Sequence, residues 1–352
     1  MVVTVGIDVH MQTHCAVAVD EGGRQLGKPV TVRATDAGHR QLLRWAGREF
    51  REQAVQFAVE DCRHVSARLE RALLSAGAVV LRVPPKLMAL TRTSARTRGK
   101  SDPIDALAIA RAAVREPGLP RAEHTHASRE LKLLVDHRED LVGMRTGLQN
   151  RLRWRLHELD PEFDLPARGL DLAKQLNRAQ ARLETLPAST VRRIGLEELA
   201  DIRALTERIK GLEKELTALV RAQAPQLLAL PGCGPLTAAK LLGETANPAR
   251  FRSDAAFAMH AGVAPIPASS GKTTRHRLAR GGNRQLNAAL HRIAVTQIRL
   301  DGLGRAYYQR RRANGDTTME ALRALKRRLA RVVFHLLQPT NTAAPACLPA
   351  AA

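Results

Sequence analysis

The sequence predicts an α/β domain followed by mainly helical regions, and three observations carry that reading. Over the first 83 residues, short β-branched runs alternate with amphipathic stretches. From about residue 123 to 224 the glycines thin out, and leucines and isoleucines recur at three- and four-residue steps. Beyond residue 225, helical stretches are broken by Pro-Gly and Gly-Gly turns and become strongly basic.

Val2 to Asp8 reads as a buried strand of β-branched residues ending in an acid, and Cys15 to Val19 as a second strand after a polar turn. Glu21-Gly22-Gly23 turns the chain into a third strand, Val30 to Arg33. A helix capped by Asp36 runs to Phe50, and Val55 to Glu60 is a fourth strand that again ends in an acid. A helix from Val65 to Ala76 stops at Gly77, and Ala78 to Val83 is a fifth strand closed by Pro84-Pro85. A basic connector (Arg92, Arg96, Arg98, Lys100) leads to a helix in Gly99 to Ala112, GKSDPIDALAIARA, with Ser101 or Asp102 as N-cap and Pro103 in its first turn. The order β-β-β-α-β-α-β-α describes a mixed sheet covered by helices, the arrangement of ribonuclease-H-like domains.

That helix holds Asp102 and Asp105 on one face, three residues apart. An isolated pair of this kind is satisfied by capping and solvation. Here the first strand delivers Asp8, the fourth Glu60 and the helix Asp102 and Asp105, with Asp61 as a spare. Four acids suffice for two Mg²⁺ ions about 3.5 to 4 Å apart around a phosphate, with Mn²⁺ as the alternative ion. His10 and His14 flank a strand end and a turn and read as surface residues.

The chain carries 56 Lys and Arg against 34 Asp and Glu, a formal charge of +22, which calls for a polyanionic partner. The excess lies toward the C-terminus: Arg250 to Arg331 holds 18 basic and 4 acidic residues. Aromatic residues are only 3%, so arginine contact with phosphate and sugar is expected rather than base stacking. The four cysteines form no CxxC pair, which argues against a disulfide framework or a zinc site. No apolar run approaches the ~18 residues of a membrane span, and the N-terminus lacks the pattern of a signal peptide. A protein of the cytoplasm, associated with the nucleoid, is expected.

In the middle region, Ile202, Leu205, Ile209, Leu212, Leu216 and Leu219 step 3-4-3-4-3, a coiled-coil seam, and with Glu130 to Leu159 predict an antiparallel helical hairpin bent at Pro161, Pro166 and Pro187. The third region opens with Leu227 to Thr245, LLALPGCGPLTAAKLLGET, which resembles a helix-hairpin-helix motif. Gly232 and Gly234 allow close backbone approach, and the N–H groups opening its second helix favour a phosphate oxygen. Ala261 to His291 follows as a proline-broken loop and a helix; Ser269 and Ser270 lie there beside Lys272, Arg275, His276, Arg277, Arg280 and Arg284. A last basic helix spans roughly Met319 to Leu337, and the Ala/Pro-rich tail from Pro339 is expected to be disordered. The expected domains are residues 1–122, 123–224 and 225–338, with a tail at 339–352.

GIDVH, the strand ending in Glu60 and KSDPIDA resemble the RuvC-like domain of the insertion-sequence one-ten family of DEDD transposases, with Ser101 where a threonine is usual. LPGCGPLTA, AGVAP, SSG and RGGN resemble its C-terminal transposase domain. The resemblance implies Asp8, Glu60, Asp102 and Asp105 as Mg²⁺ ligands and the serine before the SG glycine, Ser270, as nucleophile, with Ser269 the neighbouring candidate. It also implies donor and target DNA as substrates, a bridge RNA as guide, and dimers assembling to a tetramer. Two rival functions remain open from the residues: a RuvC-like junction nuclease using water, and a non-catalytic nucleic-acid binder.

Overall fold

The structure is a computed structural model and describes residues 1–60, 63–84, 87–88, 101–116, 118–123, 126–268, 276–277, 279 and 281–338. The chain divides into two compact units, Met1–Thr125 with Asn247–Asn283, and His126–Ala246 with Arg284–Ala352. The segment 247–283 thus groups with the N-terminal residues.

The first unit is built on a five-stranded sheet: β1 (Val2–Val9), β2 (Thr13–Val19), β3 (Gln25–Arg33), β4 (Ala54–Glu60) and β5 (Val79–Val83), in the order β3-β2-β1-β4-β5. The first three strands meander antiparallel, while β4 and β5 run parallel to β1. Its helices are α1 (Asp36–Glu49), α2 (Arg63–Ser75) and α3 (Asp102–Arg115). Strand periodicity of two sorts the side chains. Val3, Val5, Ile7, Phe57 and Val59 pack with Leu42, Leu69 and Leu73 of α1 and α2. Ala58, Leu81 and Val83 pack with Ile109 and Ala112 of α3 on the opposite face. Covered on both faces, β1 is a run of apolar residues from Val3 to Ile7 broken only by Thr4 and Gly6, as central strands are.

Two local expectations are corrected. β3 starts at Gln25 rather than Val30: it is an edge strand whose register shifts opposite Ala16 and Ala18, so Gly27 (φ 66°) and Pro29 are tolerated and its residues stay largely exposed. α1 is capped by Thr35, whose hydroxyl accepts from the Gly38 N–H at 3.2 Å, and Asp36 is its first helical residue.

The first unit also contains the short helix α9 (Asp254–His260) and a two-stranded ribbon, β6 (Ile266–Pro267) antiparallel to β7 (His276–Arg277). A Cβ on Gly282 would lie 2.2 Å from the Gly262 nitrogen, and the Asn283 N–H donates to the His260 carbonyl at 2.6 Å. The two ends of the ribbon segment are therefore clasped backbone to backbone. Asn247 donates to Glu123 Oε1, and Arg250 to the Arg121 carbonyl at 2.9 Å.

The second unit is helical: α4 (His126–Leu159), α5 (Ala173–Thr185), α6 (Thr190–Gln223), α7 (Pro225–Leu228), α8 (Pro235–Thr245), α10 (Arg284–Arg299), α11 (Leu303–Ala313) and α12 (Thr318–Leu337). α4 and α6 pack antiparallel, since Arg138 pairs with Glu213 while Arg151 and Arg155 pair with Glu198. Leu141 packs with Leu205 and Ile209, and Leu152 and Leu156 with Leu199 and Ile202, with α5 adding Leu176 and Leu183. Among the described residues, no helix is long and apolar enough to cross a membrane.

Candidate metal centre

The central position of β1 decides where its terminal acid emerges. Gly6 and Asp8 share the face that α3 covers, and the closest approach at Gly6 is to helix backbone: a Cβ on Gly6 would lie 2.2 Å from the Ala106 carbonyl oxygen and 2.4 Å from the Ala110 nitrogen. The first turn of α3 is thereby brought to the end of β1. Asp105, whose N–H donates to the Ser101 carbonyl at 3.0 Å, is buried, and Asp102 is exposed. Ser101 occupies the N-cap position but makes no capping bond with its hydroxyl.

Asp8 is itself buried. Burial raises its carboxyl above the ordinary value, and the like charges of Asp105 and Asp102 add to that rise, while His10 works against it. Crowded, desolvated carboxylates of this kind suit a hard divalent cation. Glu60 ends β4 one step beyond the Ile7–Val59 pair, on the strand next to Asp8, and is half-buried. Among the described residues, Asp8, His10 and Asp102 bring one donor atom each to within 4.8 Å of one another. Asp61 lies outside the described residues.

Of the two histidines expected at the surface, His10 is exposed and His14 is not. His10 Nε2 lies 3.1 Å from Asp8 Oδ2 and 3.4 Å from Asp102 Oδ1. The signal available was nearness in sequence, since His10 follows Asp8 by two residues at the end of β1. His14 is fully buried, stacked on His39 with ring centroids 5.3 Å apart and the two Nε2 atoms at 3.2 Å. Burial, then the neighbouring His39, pushes His14 down to about 4. That pair depends on α1 packing against β2, which no local pattern announces.

Ser269, Ser270, Lys272, Arg275 and Arg280 lie outside the described residues; they fall in the connection between β6 and β7 or just after it. Arg277 is exposed on β7, and Arg284 is exposed at the start of α10. Gly232 has φ 84°, and a Cβ there would lie 2.9 Å from the Thr296 Cβ and 3.0 Å from the Ile293 carbonyl oxygen, so its close approach is to the chain's own α10. Gly234 is the N-cap residue of α8 and a Cβ on it would meet open space. Before that turn, α7 is a four-residue helix, and α8 is buried along most of its length, with Lys240 paired to Glu139 and hydrogen-bonded to Gln285 at 2.8 Å.

The DEDD_Tnp_IS110 transposase family matches residues 5–161, and the family described as transposase IS116/IS110/IS902 matches residues 224–309. The insertion element IS116 uncharacterized 44.8 kDa protein of Streptomyces clavuligerus is 29% identical over 97% of this chain and 96% of that protein. The insertion element IS900 uncharacterized 42 kDa protein of Mycobacterium paratuberculosis is 27% identical over 99% of this chain and 98% of its own length. An IS110 relative from Streptomyces coelicolor is 37% identical over 40% of this chain and 35% of its own. A solved T. thermophilus RuvC, in complex with a Holliday junction substrate, covers 32% of this chain and 94% of its own at 17% identity and a TM-score of 0.25, too low to add to the fold described above. With both ends of the chain matched by models of one family, and relatives that align along its whole length, this protein belongs to the IS110 family of transposases.

Proposed function

We propose that this transposase cuts and rejoins DNA through a phosphoserine intermediate, with a divalent metal, Mg²⁺ or Mn²⁺, held by Asp8, Glu60, Asp102 and Asp105. DEDD transposase membership implies a divalent metal and DNA substrates. The observation that carries the reading is the convergence of Asp8 with the first turn of α3 at one end of the sheet, where burial and like charge together favour a bound cation.

A cation bound there supplies neutralisation of the phosphate charge and polarises the reacting oxygens. The chain's own part is to fix four carboxylates, all of them at strand or helix termini, and to present a serine. Ser270 Oγ attacks the phosphorus, the Oγ–P bond forms as the P–O bond to the ribose breaks, and the ribose oxygen leaves with a proton. Attack by an incoming ribose hydroxyl reverses the sequence, reseals the backbone and frees the serine. Choosing Ser270 over Ser269 rests on the family resemblance of the SSG motif. So do a bridge RNA guide, assembly of dimers into a tetramer, the helix-hairpin-helix grip at Gly232 and Gly234, and backbone contacts by Lys272, Arg275, Arg277, Arg280 and Arg284.

The test is capture of the covalent complex on element-end DNA. Wild-type protein with Mg²⁺ should give an adduct whose linked residue maps to Ser270, and Ser270→Ala should abolish it. Hydrolysed ends with no adduct would favour a water-using nuclease, and an adduct that survives both Ser270→Ala and Ser269→Ala would end the serine mechanism.

A further inference from the structure

We propose that His10 is a ligand of the metal centre, giving it a mixed imidazole and carboxylate shell that takes Mn²⁺ in preference to Mg²⁺. The inference rests on the reading that the four acids hold a divalent cation, and goes beyond it in adding a donor of different chemistry.

The geometry is that of donors around one ion. An octahedral cation with donors at about 2.1 Å places neighbouring donors about 3.0 Å apart. His10 Nε2 lies 3.1 Å from Asp8 Oδ2 and 3.4 Å from Asp102 Oδ1, two carboxylates that come from different elements, β1 and α3. The imidazole sits between them, at the edge spacing of a single coordination shell. Its position is set by backbone: the His10 N–H donates to the Thr13 carbonyl at 3.0 Å and closes the turn between β1 and β2, two residues after Asp8 and just past the end of β1. A donor fixed by a hydrogen-bonded turn loses little freedom on binding an ion. The ring is half exposed, so an ion can reach it, whereas Asp8 is buried.

Ligand chemistry gives the consequence. Carboxylate oxygens suit Mg²⁺ and Mn²⁺ alike, while an imidazole nitrogen favours the later first-row ions; Mg²⁺ keeps water in preference to nitrogen. Replacing one oxygen position by His10 Nε2 therefore separates two ions that an all-carboxylate cluster would treat almost equally. A simple Asp8–His10 hydrogen bond predicts no such separation.

The experiment is pulsed electron paramagnetic resonance of the full-length protein loaded with Mn²⁺ alone. The proposal expects echo modulation from a directly coordinated ¹⁴N, converted to the ¹⁵N pattern by incorporating ¹⁵N-histidine, a control that changes no residue. In His10→Ala and His10→Gln the modulation should vanish and Mn²⁺ affinity fall about 10-fold or more. Mg²⁺ affinity, read by competition, should move less than about threefold. Mn²⁺ bound without directly coordinated nitrogen, or modulation that persists in His10→Ala, overturns the role of His10 and leaves the acidic site standing. No Mn²⁺ bound, or binding that is unaffected by Asp8→Asn, overturns the acidic site and the proposal together.

Discussion

Gly6→Ala is expected to pull the acids of α3 away from Asp8. A Cβ at residue 6 would lie 2.2 Å from the Ala106 oxygen, 2.4 Å from the Ala110 nitrogen and 2.8 Å from the Ala110 Cβ. Two of those atoms are helix backbone, which cannot rotate aside, and ordinary contact begins near 3.4 Å. The helix must therefore withdraw by about 1 Å, carrying Asp102 and Asp105 with it. Overpacking of this kind costs about 1 to 3 kcal/mol, partly offset by the lower unfolded-state entropy of alanine. Metal donors tolerate displacements of only about 0.2 Å, so the functional loss should exceed the loss in stability, with Mn²⁺ affinity down about 10-fold or more. Urea unfolding and calorimetric Mn²⁺ titration on the same preparation separate the two. Gly47→Ala is the control: it lies exposed in α1, where a Cβ meets nothing within 4 Å, and should be neutral or stabilising by up to ~1 kcal/mol. Unchanged stability and unchanged metal affinity in Gly6→Ala would refute the claim that this contact sets the site.

His14 protonates at about 4 in the fold, against an ordinary 6.5, because burial and then His39 disfavour its charge. The unfolded chain takes up that proton first, so stability is complete above pH 6.5 and is lost by up to about 3 kcal/mol as pH falls toward 4. Urea midpoints should show a shallower decline in His14→Leu than in wild type, and identical slopes would contradict the assignment. Gly282→Ala, which would place a Cβ 2.2 Å from the Gly262 nitrogen, should spread the base of the β6–β7 ribbon and lower adduct yield while Mn²⁺ binding stays intact; equal adduct yield would refute it. Thr317→Ala removes the capping box with Glu320 at the start of α12 and should destabilise by about 1 kcal/mol in thermal or urea unfolding.

The sheet was legible because its central strands are buried on both faces and Asp8 and Glu60 stand at strand ends. Periodicity of two and the i, i+3 spacing of Asp102 and Asp105 needed no tertiary knowledge. Edge strand β3 was only half visible, since solvent exposure removes the apolar alternation from Gln25 to Pro29. Gly6 looked like one more strand residue, because its role is defined by a helix about 100 residues later. The His14–His39 stack is hidden for the same reason, two residues 25 apart meeting only after α1 folds back. At Gly232 the PGxG turn was legible, while its close approach to Thr296 and Ile293 of α10 was not.

The charge balance gives the last prediction. Against a total of +22, the Asp8, Asp102 and Asp105 cluster is a local concentration of negative charge. Phosphates drawn to the basic surface are repelled at that point until a cation neutralises it. Capture of DNA and chemistry on DNA should therefore separate on mutation. Asp8→Asn removes one negative charge, so DNA affinity without metal should hold or rise slightly, up to about 3-fold at low salt, while the covalent adduct is lost. Fluorescence anisotropy in EDTA, repeated between 50 and 200 mM salt, reads the first effect, and adduct capture with Mg²⁺ reads the second. If Asp8→Asn instead weakened metal-free DNA binding, Asp8 would be supporting the DNA surface itself, and a cation could not be what joins the acids to the phosphate.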